Sequence, residues 1–243
     1  MNAEAELEES LPEFLGLPPD FDQHLEICTL YRRIAIGSLL LSADPALFYE
    51  NLFKSTRTFL HGLENVSPEK FLTSRFHPFF DALACRDEVA LQRMIVLAPR
   101  EPTLEREYEE DFLYSRIAMD LASGEALDRV DVSLERYREL ASGNPDMRLA
   151  VLIALRERNA GAFDSAVRDA AGVFEEELLA DLDADSADPD EAAFAPISLE
   201  VLAWIELAAR AELPIARAYP LAPAVARAFH RSSAVAPDAW RAS

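Results

Sequence analysis

The stretch "ALACRDEVALQRM", residues 82–94, has a counterpart 72 residues further on, "ALRERNAGAFDSA", residues 154–166. Both open on Ala-Leu. Arg86 then matches Arg158, Asp87 matches Asn159, Ala90 matches Ala162, and Leu91 matches Phe163. Each stretch reads as a helix end, a tight turn, and a new helix with a small residue at the crossing. The offset is about two helix-pair repeats of the kind that stack into helical solenoids. The stretch therefore predicts antiparallel helical hairpins, and a tetratricopeptide-like stacking of them fits the spacing.

The rest of the chain agrees with helix. It has 243 residues, half of them apolar, and only 7 glycines. Ala, Leu, Glu and Arg dominate, and these lose little rotamer freedom in a helix. β-branched residues never alternate over a long run, so no strand is predicted. Start signals recur: Asp20, Asp44-Pro45, Ser67-Pro68, Asp87, Thr103 and Asn144-Pro145. A cap followed by Pro in the first turn is a strong helix start. Expected helices run over about 21–42, with Ile27, Tyr31, Ile34, Ser38 and Leu41 on one stripe, then from Pro45 through Leu63. Another covers 68–85, kinked or split at Pro78. Further helices cover about 88–97, from Thr103 to Gly124 with Leu104, Tyr108, Phe112 and Met119 in line, 126–141, 145–158 and 161–182. The apolar run "SLEVLAWIELAARAEL", from Ser198 to Pro214, reads as a central buried helix, and a short helix is expected at 223–231. The fold class is all-α, about ten helices packed as antiparallel pairs. Residues 1–18 read as a loose arm, 19–232 as one all-α domain, and 233–243 as a tail.

The net charge is −21. A surface this negative repels nucleic-acid phosphate and anionic lipid, and it attracts a positively charged protein. No stretch is apolar enough to span a membrane. The first residues lack the basic-then-apolar order of a secretory signal. Cys28 and Cys85 sit in apolar helical patterns and read as buried thiols of a reducing compartment. The expected location is the cytoplasm.

The sequence carries few signatures of chemistry. Asp181, Asp183 and Asp185 imitate positions 1, 3 and 5 of a calcium loop. Ser186 then replaces its glycine and Ala192 its bidentate glutamate, so calcium is not expected. His24, His61, His77 and His230 carry no metal-site spacing. There is no phosphate-binding glycine loop and no nucleophile elbow. No catalytic residue, cofactor or metal is assigned, and the chain is not expected to be an enzyme. An enzyme on an all-α fold would need a deep pocket with converging carboxylates of raised pKa.

Two acidic stretches remain. Glu105, Glu109, Glu110 and Asp111 surround Tyr108 early in an expected helix. Acids there meet the positive end of the helix dipole; they are also candidates for a partner-docking face. In 169–209 there are 12 acids and no Lys or Arg. Glu175, Glu176, Glu177, Asp181, Asp183 and Asp185 read either as a solvated loop or as a second docking edge.

The order of elements resembles a known family. An N-terminal helical bundle is followed by "ALACRDEVALQRMIVLAP", "EYEEDFLYSRIAMDL", "DMRLAVLIALRERNAGAFDSAV", "SLEVLAWIELAARAELPI" and "YP". Over roughly residues 20–225 this is similar to the immunity protein 49 family of bacterial polymorphic toxin systems. The resemblance implies a cytoplasmic, all-α, non-catalytic protein that binds and neutralises a cognate toxin domain. On that reading Arg86, Asp87, Tyr108, Asp111, Arg158, Asn159, Trp204, Tyr219 and Pro220 are architectural positions. An acidic inhibitor would suit the basic cleft of a nuclease toxin. The alternative is a helical-repeat scaffold or regulator that holds another protein.

Overall fold

The computed structural model describes residues 2–124, 127–143, 146–183 and 196–242, without the side chains of 177–183. Among the described residues the protein is all-helical, with ten α-helices and no sheet. In chain order these are α1 (Ala3–Gly16), α2 (Phe21–Ser42), α3 (Pro45–Asn65), α4 (His77–Cys85) and α5 (Glu88–Leu97). Then follow α6 (Glu109–Ser123), α7 (Leu127–Leu140), α8 (Met147–Arg156), α9 (Ala160–Asp183) and α10 (Leu199–Arg210).

The helix starts follow from local chemistry. Asp20 accepts from the N–H of Asp22 at 3.0 Å and opens α2. Asp44 accepts from Ala46 at 2.9 Å, with Pro45 preset in the first turn of α3. Ala43, in the left-handed region, turns the chain between them. The resulting α2–α3 hairpin packs Cys28, Ala35 and Leu39 against Phe48, Leu52, Phe59 and Leu63 in the main core. α4 lies on α3 and on α10. The expected burial of α10 holds. Trp204 is fully buried, and its indole N–H donates to the Tyr114 hydroxyl at 2.9 Å.

The two matching stretches form the same corner. Arg86 and Arg158 both have left-handed backbones, with φ of 56° and 53°. The Asp87 N–H bonds back to Ala82 O at 2.9 Å, and the Asn159 N–H to Ala154 O at 3.0 Å. That is a six-to-one helix-ending bond. Each cap side chain then accepts from the N–H three residues on, Ala90 or Ala162, at 3.1 Å. A third corner was not visible in the repeat: Glu212 has φ 57° and the Leu213 N–H reaches Ala208 O at 2.9 Å.

Several expectations are corrected. Residues 1–18 are not a loose arm. Asn2 caps α1, and the helix runs through Pro12. Proline removes one backbone bond there, but Ala3, Leu7, Leu11 and Phe14 are buried with Ile27, Leu30 and Tyr31 of α2 in a second cluster. The tail is anchored in the same cluster. Trp240 is buried, and its carbonyl accepts from the Tyr31 hydroxyl at 2.5 Å. The α2 stripe ends at Ile34, because α1 has 14 residues against 22 in α2; Leu41 is 91 % exposed. The 68–85 segment splits. Two short 3-10 turns, Pro68–Lys70 and Thr73–Arg75, precede α4, whose first turn holds Pro78. The 223–231 helix is likewise two 3-10 turns, Ala224–Arg227 and Phe229–Arg231. The start signal Asn144-Pro145 lies outside the described residues.

Candidate protein-docking face

The helix expected from Thr103 begins only at Glu109. The Glu107 carboxylate explains the delay. It accepts from the Thr103 N–H at 3.0 Å and from the Ser74 N–H at 2.9 Å. The loop is thereby tied to the 3-10 turn at Thr73–Arg75 instead of continuing as helix. Arg106 donates to Glu69 O at 2.7 Å, and the Thr73 hydroxyl donates to Pro99 O at 3.2 Å. The loop is held at three points, yet its two large apolar side chains face water. Leu104 is 63 % exposed and Tyr108 is 79 % exposed. Neither joins the apolar line expected with Phe112 and Met119, which are buried.

The acids around this loop divide. Glu109 meets the Arg136 fork at 2.8 and 2.9 Å. Its hydrogen bond with Arg136 holds its carboxyl below the ordinary glutamate range. Asp111 accepts from Arg148 at 3.1 Å, and the Arg148 guanidinium lies 4.8 Å over the Tyr114 ring. These two acids are tied within the fold. Glu109, Glu110 and Asp111 also occupy the first turn of α6, where the dipole favours them. Glu105 and Glu110 have no ion-pair partner among the described residues.

The second stretch lies elsewhere. Glu175 and Glu176 are exposed on α9. α8 packs against both α6 and α9, and no ion pair or hydrogen bond among the described residues links the two acidic stretches. Glu177, Asp181 and Asp183 are helical in backbone only; their side chains, and all of Asp185, lie outside the described set.

Sequence reasoning missed a recess on the other side of Ser74. A hollow of about 320 Å³ is lined by Arg32, Arg75, His77, Tyr114, Arg148 and Glu200, among others. Burial raises the Glu200 carboxyl, opposed by the Tyr114 hydroxyl and by Arg148 and Arg32. Asp81 is also raised by burial, but it is sealed beneath Arg32 and does not line the hollow. Asp111, the other carboxylate in the wall, is held by Arg148. Glu200 and Asp111 are the two carboxylates of the recess wall. Its residues come from five separate segments, and no local spacing announces such a set.

Cys28 and Cys85 are buried free thiols, both pushed upward by burial. Among the described residues no three His, Cys, Asp or Glu side chains come together to hold a metal ion. Among them, no helix is long and apolar enough to cross a membrane.

The fold and this geometry define an all-α domain that presents an aromatic loop among acids. Compared with family models, with curated proteins and with solved structures, the chain matches none of them.

Proposed function

We propose that the protein is a bacterial, cytoplasmic immunity protein, related to the immunity protein 49 family, which binds a cognate toxin domain and blocks it. The observation that carries this reading is the Leu104–Tyr108 loop. A large aromatic held out in water on a fixed backbone is costly to leave bare and well suited to a partner. Tyr supplies much contact area and loses only two torsions on binding, so it is enriched among residues that dominate interfaces. A loop pinned by Glu107 and Arg106 has little ordering left to lose. The surrounding charge suits a basic partner, with Glu105 and Glu110 beside the loop and −21 on the whole chain. Such a charge speeds encounter with a basic nuclease cleft and makes it salt-dependent. Glu175 and Glu176 form a second candidate edge.

The test is co-expression with the product of the adjacent gene, read by survival and by co-purification at low and high salt. Rescue with a salt-sensitive complex is expected. The scaffold reading draws on the recurring corner at Arg86 and Arg158. It predicts a stable complex with another protein and no rescue from a toxin.

A further inference from the structure

Arg32 stands between two hollows. The one of about 320 Å³ faces α6 and α10, and another of about 440 Å³ faces α1; Arg32, Arg75 and His77 line both. Four arginines, Arg32, Arg33, Arg75 and Arg148, border this depression in a chain with only 23 bases against 44 acids.

Three of the four spend charge on neighbours. Arg148 meets Asp111 at 3.1 Å and Asp146 at 3.2 Å. Arg33 meets Glu6 at 3.4 Å. Arg75 gives one amino group to Asp22, while its guanidinium lies 5.6 Å over the Phe21 ring. Arg32 differs. Its Nε lies 3.0 Å from Asp81, in a charge contact not aligned as a hydrogen bond. The other Asp81 oxygen accepts from the Ser55 hydroxyl at 2.7 Å. Asp81 is wholly buried, while the Arg32 side chain is 27 % exposed. A counter-charge sealed in the core fixes the guanidinium from behind. The two terminal amino groups of Arg32 have no acceptor among the described residues.

The arginines also act on His77. Crowding protein atoms, then Arg32, Arg75 and Arg148, hold its imidazole well below the usual histidine range, and only Asp111 pulls the other way. His77 is an exposed residue. Ser74 and Ser115 add hydroxyls to the same wall.

We propose that this depression binds a small tetrahedral oxyanion of the phosphate class, with Arg32 and Arg75 as the charged donors and Ser74 and His77 as neutral ones. Guanidinium groups match phosphate oxygens as a fork and remain charged at every working pH. Donors arriving from α2 and from the 74–77 segment at different angles suit a ligand with several acceptor oxygens. Glu6, Asp22, Glu26, Asp111 and Glu200 in the walls oppose an anion. Glu6 is matched by Arg33, Asp22 by Arg75 and Asp111 by Arg148, and Arg148 and Arg32 face Glu200. The site is independent of the docking loop.

The experiment is calorimetric titration of the whole protein with inorganic phosphate and, separately, with glycerol phosphate. Sodium chloride and sodium acetate at matched ionic strength are the controls. Saturable binding of either phosphate in the millimolar range is expected, with no saturation by acetate. Tighter binding of the monoester assigns the ligand to phosphate esters, and equal or tighter binding of the inorganic ion assigns it to free phosphate. Arg75→Gln leaves the Arg32–Asp81 contact untouched and weakens binding at least tenfold; Tyr108→Ala leaves it unchanged. Heat with phosphate no different from chloride, or equal affinity in Arg75→Gln, overturns the site.

Discussion

The corners at Arg86–Asp87 and Arg158–Asn159 have the same backbone and different surroundings. Both turn through a left-handed arginine and close with the same six-to-one bond. At the first corner Asp87 is 3 % exposed and accepts from the Thr56 hydroxyl at 2.9 Å and from Arg57 at 2.6 Å. Arg86 meets Glu206 at 2.9 Å and lies 5.1 Å over the Phe229 ring. At the second corner Arg158 and Asn159 are exposed, and among the described residues the Asn159 side chain serves only the N–H of Ala162. Local sequence sets the shape of a corner. Long-range side-chain partners decide how much of the fold depends on it.

The sharpest way to break the comparison is Asp87→Ala. It removes the cap and the acceptor of Arg57, while the Thr56 hydroxyl keeps Phe53 O at 2.9 Å. Truncating one partner of a largely buried charge pair costs several kcal/mol. Arg57 keeps some access to water, so about 3 kcal/mol is expected, read by urea denaturation. Loss of less than about 1 kcal/mol would place Asp87 on a par with Asn159.

Acidification sharpens the contrast at a different point. α2 and α3 share a histidine pair: His24 Nε2 lies 3.0 Å from His61 Nδ1, and the rings are stacked 5.3 Å apart. His24 Nδ1 lies 2.5 Å from Asp20 O, so it carries the proton and Nε2 must accept from His61. Protonating His24 sets two N–H groups against each other. Burial holds His24 below 6.5, reinforced by His61 and opposed by Asp20. Burial and Arg241 do the same to His61, opposed by Glu64. The folded state then binds fewer protons than the unfolded one. This stability is present above pH 6.5 and is lost as pH falls below it. Hydrogen exchange at pH 5 is expected to show α1 and residues 239–241 opening, while α8 and α9 keep their protection. Uniform loss across all helices would remove the assignment to the histidine pair.

Two smaller changes probe the second corner. Asn159→Ala is expected to cost about 1 kcal/mol, the value of an exposed cap. Arg158→Gly relieves a left-handed residue whose side chain has no partner among the described residues, and is expected to gain about 0.5 kcal/mol. Arg86→Gly gains the same relief but loses Glu206 and Phe229, so it falls below Arg158→Gly in thermal melting. Equal melting temperatures would show that the Arg86 contacts add nothing.

The sequence stated the helices well where cap, turn and apolar period agreed, as at Asp20, Asp44 and Asp87. It misled where one strong local signal stood against a weaker pattern. Pro12 suggested a break, although Leu7, Leu11 and Phe14 already had helical spacing; burial against α2 outweighed one lost bond. Thr103 looked like a cap, and the tie that cancels it, Glu107 to Ser74, spans 33 residues. The docking acids were legible as composition only. Charge counts could not separate Glu109 and Asp111, which Arg136 and Arg148 neutralise, from Glu105 and Glu110. The Arg32 recess, assembled from distant segments, left no pattern to read.

The most direct test of the docking proposal is the affinity of the Leu104→Ala, Tyr108→Ala double variant for the partner that the co-expression test identifies. Both side chains are exposed, so the variant is expected to melt like the wild type. A Tyr at the centre of an interface is worth at least about 2 kcal/mol on truncation, so binding should weaken by about thirtyfold or more. A folded variant that binds and protects as well as the wild type would contradict the account.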